Sequence, residues 1–349
     1  MSWASREVIA KSVLDMLRVN MGYKQGEKLL VVSDVPRLEE WNSETHKKVH
    51  EMLERADLAR LVAEIAADSF GADSVTFLPF LSTGSHGSEP DDETAGRMCS
   101  ADVVIALTTY SLSHTNARTQ ATGSGARLAS MPQFEATMFA EGGPMASDPS
   151  EVSAGSQLFG DLLTQANQVH VTSPAGTDLR FSIEGREGQV DDGIYGTGPG
   201  KWGNLPAGEA FCVPFEGTGQ GVLVAPAGWF PELEQDMIFT IVDGLVVDLQ
   251  GGGKVGDKFR RLLDFSSHDP AVKARRNLAE LGIGCNPNAS KPDNVLEAEK
   301  IKGTVHIAIG DNIHMGGQVE ADLHEDFVQP KPDLVLDGKT VIAGGEWMV

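Results

Sequence analysis

Residues 6–32 read REVIAKSVLDMLRVNMGYKQGEKLLVV, and this stretch decides how the amino-terminal half of the chain is expected to fold. Up to Val19, apolar side chains recur at intervals of three or four residues, which is the spacing of one helix face. After Gly26, the run 29–32 is short and wholly apolar, as in a strand that is buried on both faces. The stretch therefore predicts a helix, a turn and a buried strand, which is how an α/β domain begins.

The same alternation continues downstream. Helical patterns cover residues 43–67 and 93–98, and strand patterns cover residues 74–80, 103–107 and 127–130. The strand segments are rich in Val, Ile and Leu and have no polar face, which is typical of a parallel sheet covered by helices on both sides. We predict an α/β protein whose amino-terminal domain, residues 1–165, is Rossmann-like and doubly wound.

Beyond a helical segment at 157–168 the pattern becomes that of alternating strands. Strands are predicted at 169–171, 178–183, 221–225 and 238–249, and helices at 258–265 and 270–281. Asp243-Gly244 and Asp337-Gly338 are turn pairs typical of tight hairpins. We therefore predict an α+β carboxy-terminal domain over residues 166–349.

The charge of the chain excludes some partners. Its 349 residues include 28 Lys and Arg against 50 Asp and Glu, a formal net charge of −22. Such a surface repels nucleic-acid phosphates and anionic lipids, so we expect neither nucleic acid nor a membrane as a partner. The first residues form no apolar leader, and three cysteines without a CxxC pair indicate neither disulfides nor a cysteine zinc site. We expect a cytoplasmic protein.

The strand pattern at 303–310 places a histidine on an open face. Three apolar side chains share one face, whereas His306 lies on the other with Ala308 and Gly310. The small neighbours leave space in front of the imidazole. Considered alone, such a histidine is more often a hydrogen-bonded structural residue than a ligand.

A second histidine lies next to a carboxylate. His324 and Asp326 are two residues apart, so an extended chain places both side chains on one face. Imidazole together with carboxylate suits Zn, Mn, Co or Fe, whereas Ca and Mg seldom take imidazole. This carboxy-terminal region is therefore predicted to bind a metal, with a surface acidic strand as the alternative.

Several motifs together resemble a known family. They are Asn204-Leu-Pro-Ala-Gly-Glu209, Leu278-Ala-Glu280-Leu-Gly-Ile-Gly-Cys-Asn286, Gly303-Thr-Val-His306 and Leu323-His324-Glu-Asp326, with Ser113-His114 and residues 125–132 upstream. Their order resembles that in the aminopeptidase T family, metallopeptidase family M29, over nearly the whole chain. By motif position, the resemblance implies that two divalent ions, Zn, Co or Mn, are held by Glu209, Glu280, His306, His324 and Asp326. It also implies hydrolysis of an amide bond in a small molecule or short peptide, and a homodimer.

One position departs from that family. Ile313 stands where the family has a tyrosine, and His314 follows it. We therefore take His314 as a candidate catalytic residue, with an ordinary loop histidine as the alternative.

The chain also resembles, more distantly, 2,5-dihydroxypyridine 5,6-dioxygenase, an enzyme with a single Fe(II) held by two histidines and one carboxylate. That resemblance implies an Fe(II) site at His306, His324 and Asp326, in which Glu209 and Glu280 would have no role. In the dioxygenase, a histidine stands at the position of Glu280. The resemblance also implies substrate-binding roles for Asn204 and His114. His114 follows a strand end, where ligands bind in open α/β sheets, with an ordinary loop histidine as the alternative. A noncatalytic protein that is stabilised by metal or binds a small ligand is the third alternative.

Overall fold

A computed structural model describes residues 5–349, which form two compact units. The first contains the chain up to Glu151 together with Gly193–Ala207, and the second contains Val152–Asp192 and Gly208–Val349. This division differs from the predicted boundary at residue 165. The helix that spans the boundary packs its apolar face, including Phe159, into the core of the second unit.

The helices and strands alternate as follows. The helices are α1 (Arg6–Asp15), α2 (Leu38–Ser43), α3 (His46–Phe70), α4 (Asp92–Cys99), α5 (Asn116–Gly123), α6 (Pro149–Gln165), α7 (Gly253–Leu263), α8 (Pro270–Ala274) and α9 (Val295–Ala298). The strands are β1 (Leu29–Val35), β2 (Val75–Leu81), β3 (Val103–Thr108), β4 (Arg127–Pro132), β5 (Gln168–Thr172), β6 (Asp178–Ser182), β7 (Gln189–Asp191), β8 (Trp202–Asn204), β9 (Glu209–Cys212), β10 (Gln220–Ala225), β11 (Met237–Val242), β12 (Leu245–Gly251), β13 (Leu278–Gly284), β14 (Val305–Gly310), β15 (His324–Gln329), β16 (Asp333–Leu336), β17 (Lys339–Ala343) and β18 (Glu346–Trp347).

The first unit is built on a parallel five-stranded sheet. Its strand order is β2-β1-β3-β4-β8, and every neighbouring pair is parallel. β3 is buried along its whole length, and α3 packs against β1, β2 and β3. The late strand β8 pairs with β4, which is why Gly193–Ala207 belongs to this unit. The predicted α/β class with a parallel sheet is confirmed.

The second unit contains two antiparallel sheets. One has eight strands in the order β12-β11-β10-β6-β5-β16-β17-β18, and the other has five in the order β15-β14-β13-β9-β7. Phe239 of the first sheet and Phe327 of the second lie 4.7 Å apart between ring centroids, within one core cluster that also includes Phe259 of α7. The two sheets therefore share an apolar core, as expected for an α+β unit.

One predicted helix is wrong. The segment 270–281 was expected to be helical throughout, but α8 ends at Ala274 and residues from Leu278 form β13. β13 is the middle strand between β14 and β9, and its pairing overrides the helical spacing of the apolar residues. Gly282 pairs with His306, and a Cβ at this glycine would lie 1.9 Å from the His306 Nε2 atom. The glycine thus provides the space for the imidazole.

The two predicted hairpin turns are confirmed. Asp243 and Gly244 have φ values of 50° and 72°, and Asp337 and Gly338 have 47° and 82°, the left-handed pair that a two-residue hairpin turn requires. Among the helices of residues 5–349, none combines the length and apolar character that crossing a bilayer requires.

Candidate metal centre

Four adjacent strands carry the five predicted metal ligands. Glu209 begins β9, Glu280 lies in β13, His306 in β14, and His324 and Asp326 in β15. Small residues lie opposite them in the sheet, because Ala308 pairs with Asp326 and Gly310 with His324. The sheet therefore brings together all five side chains that the motifs singled out.

Glu280 lies between the two imidazoles. Its Oε1 atom is 3.5 Å from His306 Nε2, and its Oε2 atom is 3.2 Å from His324 Nε2. His306 Nε2 is also 3.5 Å from Glu209 Oε2, and His324 Nε2 is 3.7 Å from Asp326 Oδ2. One carboxylate thus connects the two histidines through its two oxygens.

The side chains fall into two donor groups. Glu209, Glu299 and His306 form the first group, and Glu280, His324 and Asp326 form the second; within each, one ligand atom per residue lies within 4.8 Å of the others. Glu299 was not among the predicted ligands. It follows α9 in the acidic sequence Glu297-Ala-Glu299, which reads as an ordinary surface turn, so no sequence signal identifies it.

A hydrogen bond at the Nδ1 atom of His324 fixes the orientation of its imidazole. Its Nδ1 atom lies 2.8 Å from the backbone carbonyl oxygen of Asp311, so Nδ1 donates a hydrogen bond to that oxygen. This contact leaves Nε2 facing Glu280 and Asp326. A backbone acceptor on the second ring nitrogen is the usual arrangement for a metal-binding histidine.

Buried polar atoms at the centre lack hydrogen-bond partners. Within residues 5–349, these include Glu209 Oε2, Asp326 Oδ1 and both ring nitrogens of His306. Leaving such an atom buried and unsatisfied costs ~1–3 kcal/mol, and more when the group is charged. Carboxylate oxygens and imidazole nitrogens are also the donors that Zn, Mn, Co and Fe prefer. The residues therefore fit divalent cations.

The carboxylates favour the protonated histidines when no metal competes. Burial alone would lower the pKa of His306, but the contact with Glu280, 3.5 Å away, and the charges of Asp326 and Glu209 raise it to about 9. His324 behaves in the same way, and its pKa is raised well above the usual value. Burial would raise the pKa of Glu280, yet His306 and His324 hold it well below its ordinary range. The carboxylates of the centre thus stabilise positive charge at His306 and His324.

These pKa shifts predict how metal affinity depends on pH. A metal ion must displace the proton of His306, and a growing fraction of His306 carries this proton as the pH falls through about 9. The apparent affinity for Co²⁺ should therefore rise between pH 6 and pH 8, by up to ~10-fold per unit for each proton released. Chelator competition at several pH values measures it. His170→Ala, which removes a histidine paired with Asp178 in the other sheet, should show the same dependence, and a pH-independent affinity would contradict the prediction.

The remaining predicted site residues lie outside the two donor groups. His314 lies in an exposed 3₁₀ turn, Ile313–Met315, between β14 and β15. His114 lies in an exposed turn after β3 in the first unit. Asn204 belongs to the first unit as well, where its side chain donates to the Ser130 carbonyl oxygen at 3.2 Å. Their catalytic and substrate-binding roles stay predictions.

Fold and donor set together define a class, the two-unit α/β proteins with candidate metal-ligand groups on an antiparallel sheet. The chain belongs to the family described as NicX: 2,5-dihydroxypyridine 5,6-dioxygenase, whose model matches residues 26–349. It is a member of a metal-binding enzyme family. Among curated proteins, no sequence matches this chain significantly.

The solved structures that are similar to the chain include two that it covers almost completely. The 2,5-dihydroxypyridine dioxygenase from Pseudomonas putida KT2440 has a TM-score of 0.71 at 18% identity, covering 99% of this chain and 98% of that one. The wild-type AmpT from Thermus thermophilus has a TM-score of 0.62 at 16% identity, covering 98% and 99%. At these identities the likeness shows a shared fold. The family model confirms the resemblance to the dioxygenase, and the structure of AmpT confirms that the fold resembles that of the aminopeptidase T family.

Proposed function

We propose that the protein is a metal-dependent hydrolase of aminopeptidase type with a co-catalytic pair of divalent ions, Zn, Co or Mn. The observation that carries this proposal is the position of Glu280, with one oxygen toward His306 and the other toward His324. A carboxylate shared by two donor groups suits two ions ~3.5–4 Å apart. In this proposal Glu209, Glu299 and His306 hold one ion, and Glu280, His324 and Asp326 hold the other.

The charge of the centre supports a pair of ions. Its four donor carboxylates, when ionised, face two neutral imidazoles and the ammonium of Lys300, which contacts Glu209. Two dications leave the group with one net positive charge, which one hydroxide neutralises. A single dication leaves the group with one negative charge when Glu299 is ionised and with none when Glu299 is protonated; burial and the charges of Glu209 and Asp326 raise the pKa of Glu299 to about 8.

The ions, when bound, would activate a water molecule and polarise the scissile carbonyl. The chain's own residues would do the rest. The backbone carbonyl of Asp311 keeps His324 Nε2 turned toward its group, and the carboxylates attract the free amino group of a short peptide or small molecule. His114 and Asn204 are proposed to contact the substrate, and His314 to transfer a proton. A homodimer and a cytoplasmic location also belong to this proposal.

A ring-cleaving dioxygenase with one Fe(II) is the second candidate. The family model that matches residues 26–349 favours it. Its three ligands would be His306, His324 and Asp326. Glu280 argues against this set, because its carboxylate lies between the two imidazoles and an ion bound by both would also meet Glu280.

A pair of turnover assays distinguishes the candidates. Protein loaded with Zn²⁺, Mn²⁺ or Co²⁺ should release amine from aminoacyl anilides at the same rate with and without oxygen. Protein loaded with Fe²⁺ should not consume oxygen with 2,5-dihydroxypyridine. Oxygen uptake with ring cleavage would support the dioxygenase, and bound metal without either turnover would support a noncatalytic role. His324→Ala, assayed in parallel, excludes a contaminating activity.

A further inference from the structure

Lys300 is a buried, charged side chain beside the donor groups. Metal binding has no direct use for its charge, because an ammonium is not a ligand for a cation. Lys300 is 1% exposed and ranks among the largest fully buried side chains of residues 5–349. A lysine is seldom buried to this degree unless a specific partner holds its charge. Its position therefore needs an explanation.

The backbone fixes where the Lys300 side chain begins. Its N–H donates to the Glu297 carbonyl oxygen at 3.0 Å, and its carbonyl oxygen accepts from the Asn286 N–H at 2.8 Å. Asn286 comes shortly after β13, the strand that carries Glu280. The turn with Lys300 is thus tied to the same sheet as the donor groups.

The ammonium contacts one oxygen on each of two carboxylates. Lys300 Nζ lies 2.5 Å from Glu209 Oε1 and 3.0 Å from Glu299 Oε1. Lys300 is therefore an ion-pair partner of both carboxylates of the first donor group.

The contact with Lys300 gives the two carboxylate oxygens of Glu209 different partners. Oε1 is taken by Lys300, whereas Oε2 is buried, has no hydrogen-bond partner within the described chain and lies 3.5 Å from His306 Nε2. Turning this carboxylate to present both oxygens to an ion would break or lengthen its contact with Lys300. The Oε2 atom of Glu209 therefore keeps its direction toward His306.

We propose that Lys300 is a positioning residue that holds Glu209 as a one-oxygen ligand, with Oε2 directed at the ion bound by the Glu209, Glu299 and His306 group. This inference rests on the proposed two-ion function. A purely structural ion pair is the alternative. It would affect folding stability, but not specifically the affinity for the ion that Glu209 binds.

The test uses protein loaded with Co²⁺, whose absorption reports each bound ion, and challenges it with increasing chelator. In Lys300→Met, the ion at the Glu209 group should be lost at ~10–100-fold lower chelator concentration, the usual effect of a residue that orients a ligand. The ion at the Glu280, His324 and Asp326 group should be retained as in the wild type. Lys302→Met is the control for loss of a lysine from the same segment; Lys302 is exposed, and its ammonium lies 4.5 Å from the centroid of the Trp347 ring. This substitution should not change either affinity.

A double-mutant cycle separates positioning from structure. If Lys300 acts through Glu209, adding Lys300→Met to Glu209→Gln should cause no further loss of Co²⁺ affinity. Independent, additive losses would overturn the proposal, and so would wild-type affinity in a folded Lys300→Met. Should Lys300→Met fail to fold, Lys300→Gln takes its place with the same expected direction. Wild-type protein that binds only one Co²⁺ refutes the two-ion function, whereas the cycle tests Lys300 separately.

Discussion

His324→Ala should lose bound metal and hydrolytic activity together, while the protein stays folded. The imidazole Nε2 lies 3.2 Å from Glu280 and 3.7 Å from Asp326, so its removal leaves that donor group without a nitrogen ligand. The backbone pairing of His324 with Gly310 does not depend on the side chain. The loss should exceed the ~10–100-fold effect of residues that only orient a ligand. Elemental analysis, turnover of an aminoacyl anilide and thermal melting measure the three properties.

His170→Ala is the control for that experiment. It removes an imidazole from β5 in the other antiparallel sheet of the same unit, where the ring contacts Asp178 at 2.8 Å. Metal content and turnover should stay at wild-type levels. Wild-type metal content and turnover in His324→Ala itself would refute the assignment of this histidine as a ligand.

Glu280→Gln should lose half of the bound metal or abolish hydrolysis. The amide keeps the volume of the side chain but replaces one oxygen by an NH₂ group, which cannot ligate, so it cannot join both donor groups. It also removes the buried negative charge that lies between His306 and His324. Metal stoichiometry and anilide turnover are the measurements.

Glu297→Gln is the control, because Glu297 is also a buried carboxylate. Glu297 is 1% exposed, and its Oε1 accepts from the Ser290 N–H at 2.7 Å, outside the donor groups. Its metal content should not change. If Glu280→Gln keeps its full metal and the wild type consumes oxygen with a dihydroxylated ring, the dioxygenase is the correct function.

The sequence predicted the elements whose pattern is strong and local. The apolar runs gave β1 and β3, and the Asp-Gly pairs gave both hairpins, because each signal lies within a few residues. The alternation around His306 correctly separated its two faces, since a strand has a strict period of two. Motif resemblance gave the five side chains that the sheet brings together, which local pattern alone would not have done.

Features that depend on distant pairing were missed. β13 has helical spacing, and only its position between β14 and β9 makes it a strand. β8 joins the sheet of the first unit long after the chain has entered the second, so a single boundary cannot describe the units. Glu299 and Lys300 look like surface residues, and they contribute to the centre only because the turn after α9 folds against Glu209.

The number of metal ions per chain tests the central claim most directly. Elemental analysis of wild-type protein, purified without added metal, should find two ions of Zn, Mn or Co per chain, one for each donor group. One iron per chain, with no second metal, would contradict the two-ion hydrolase.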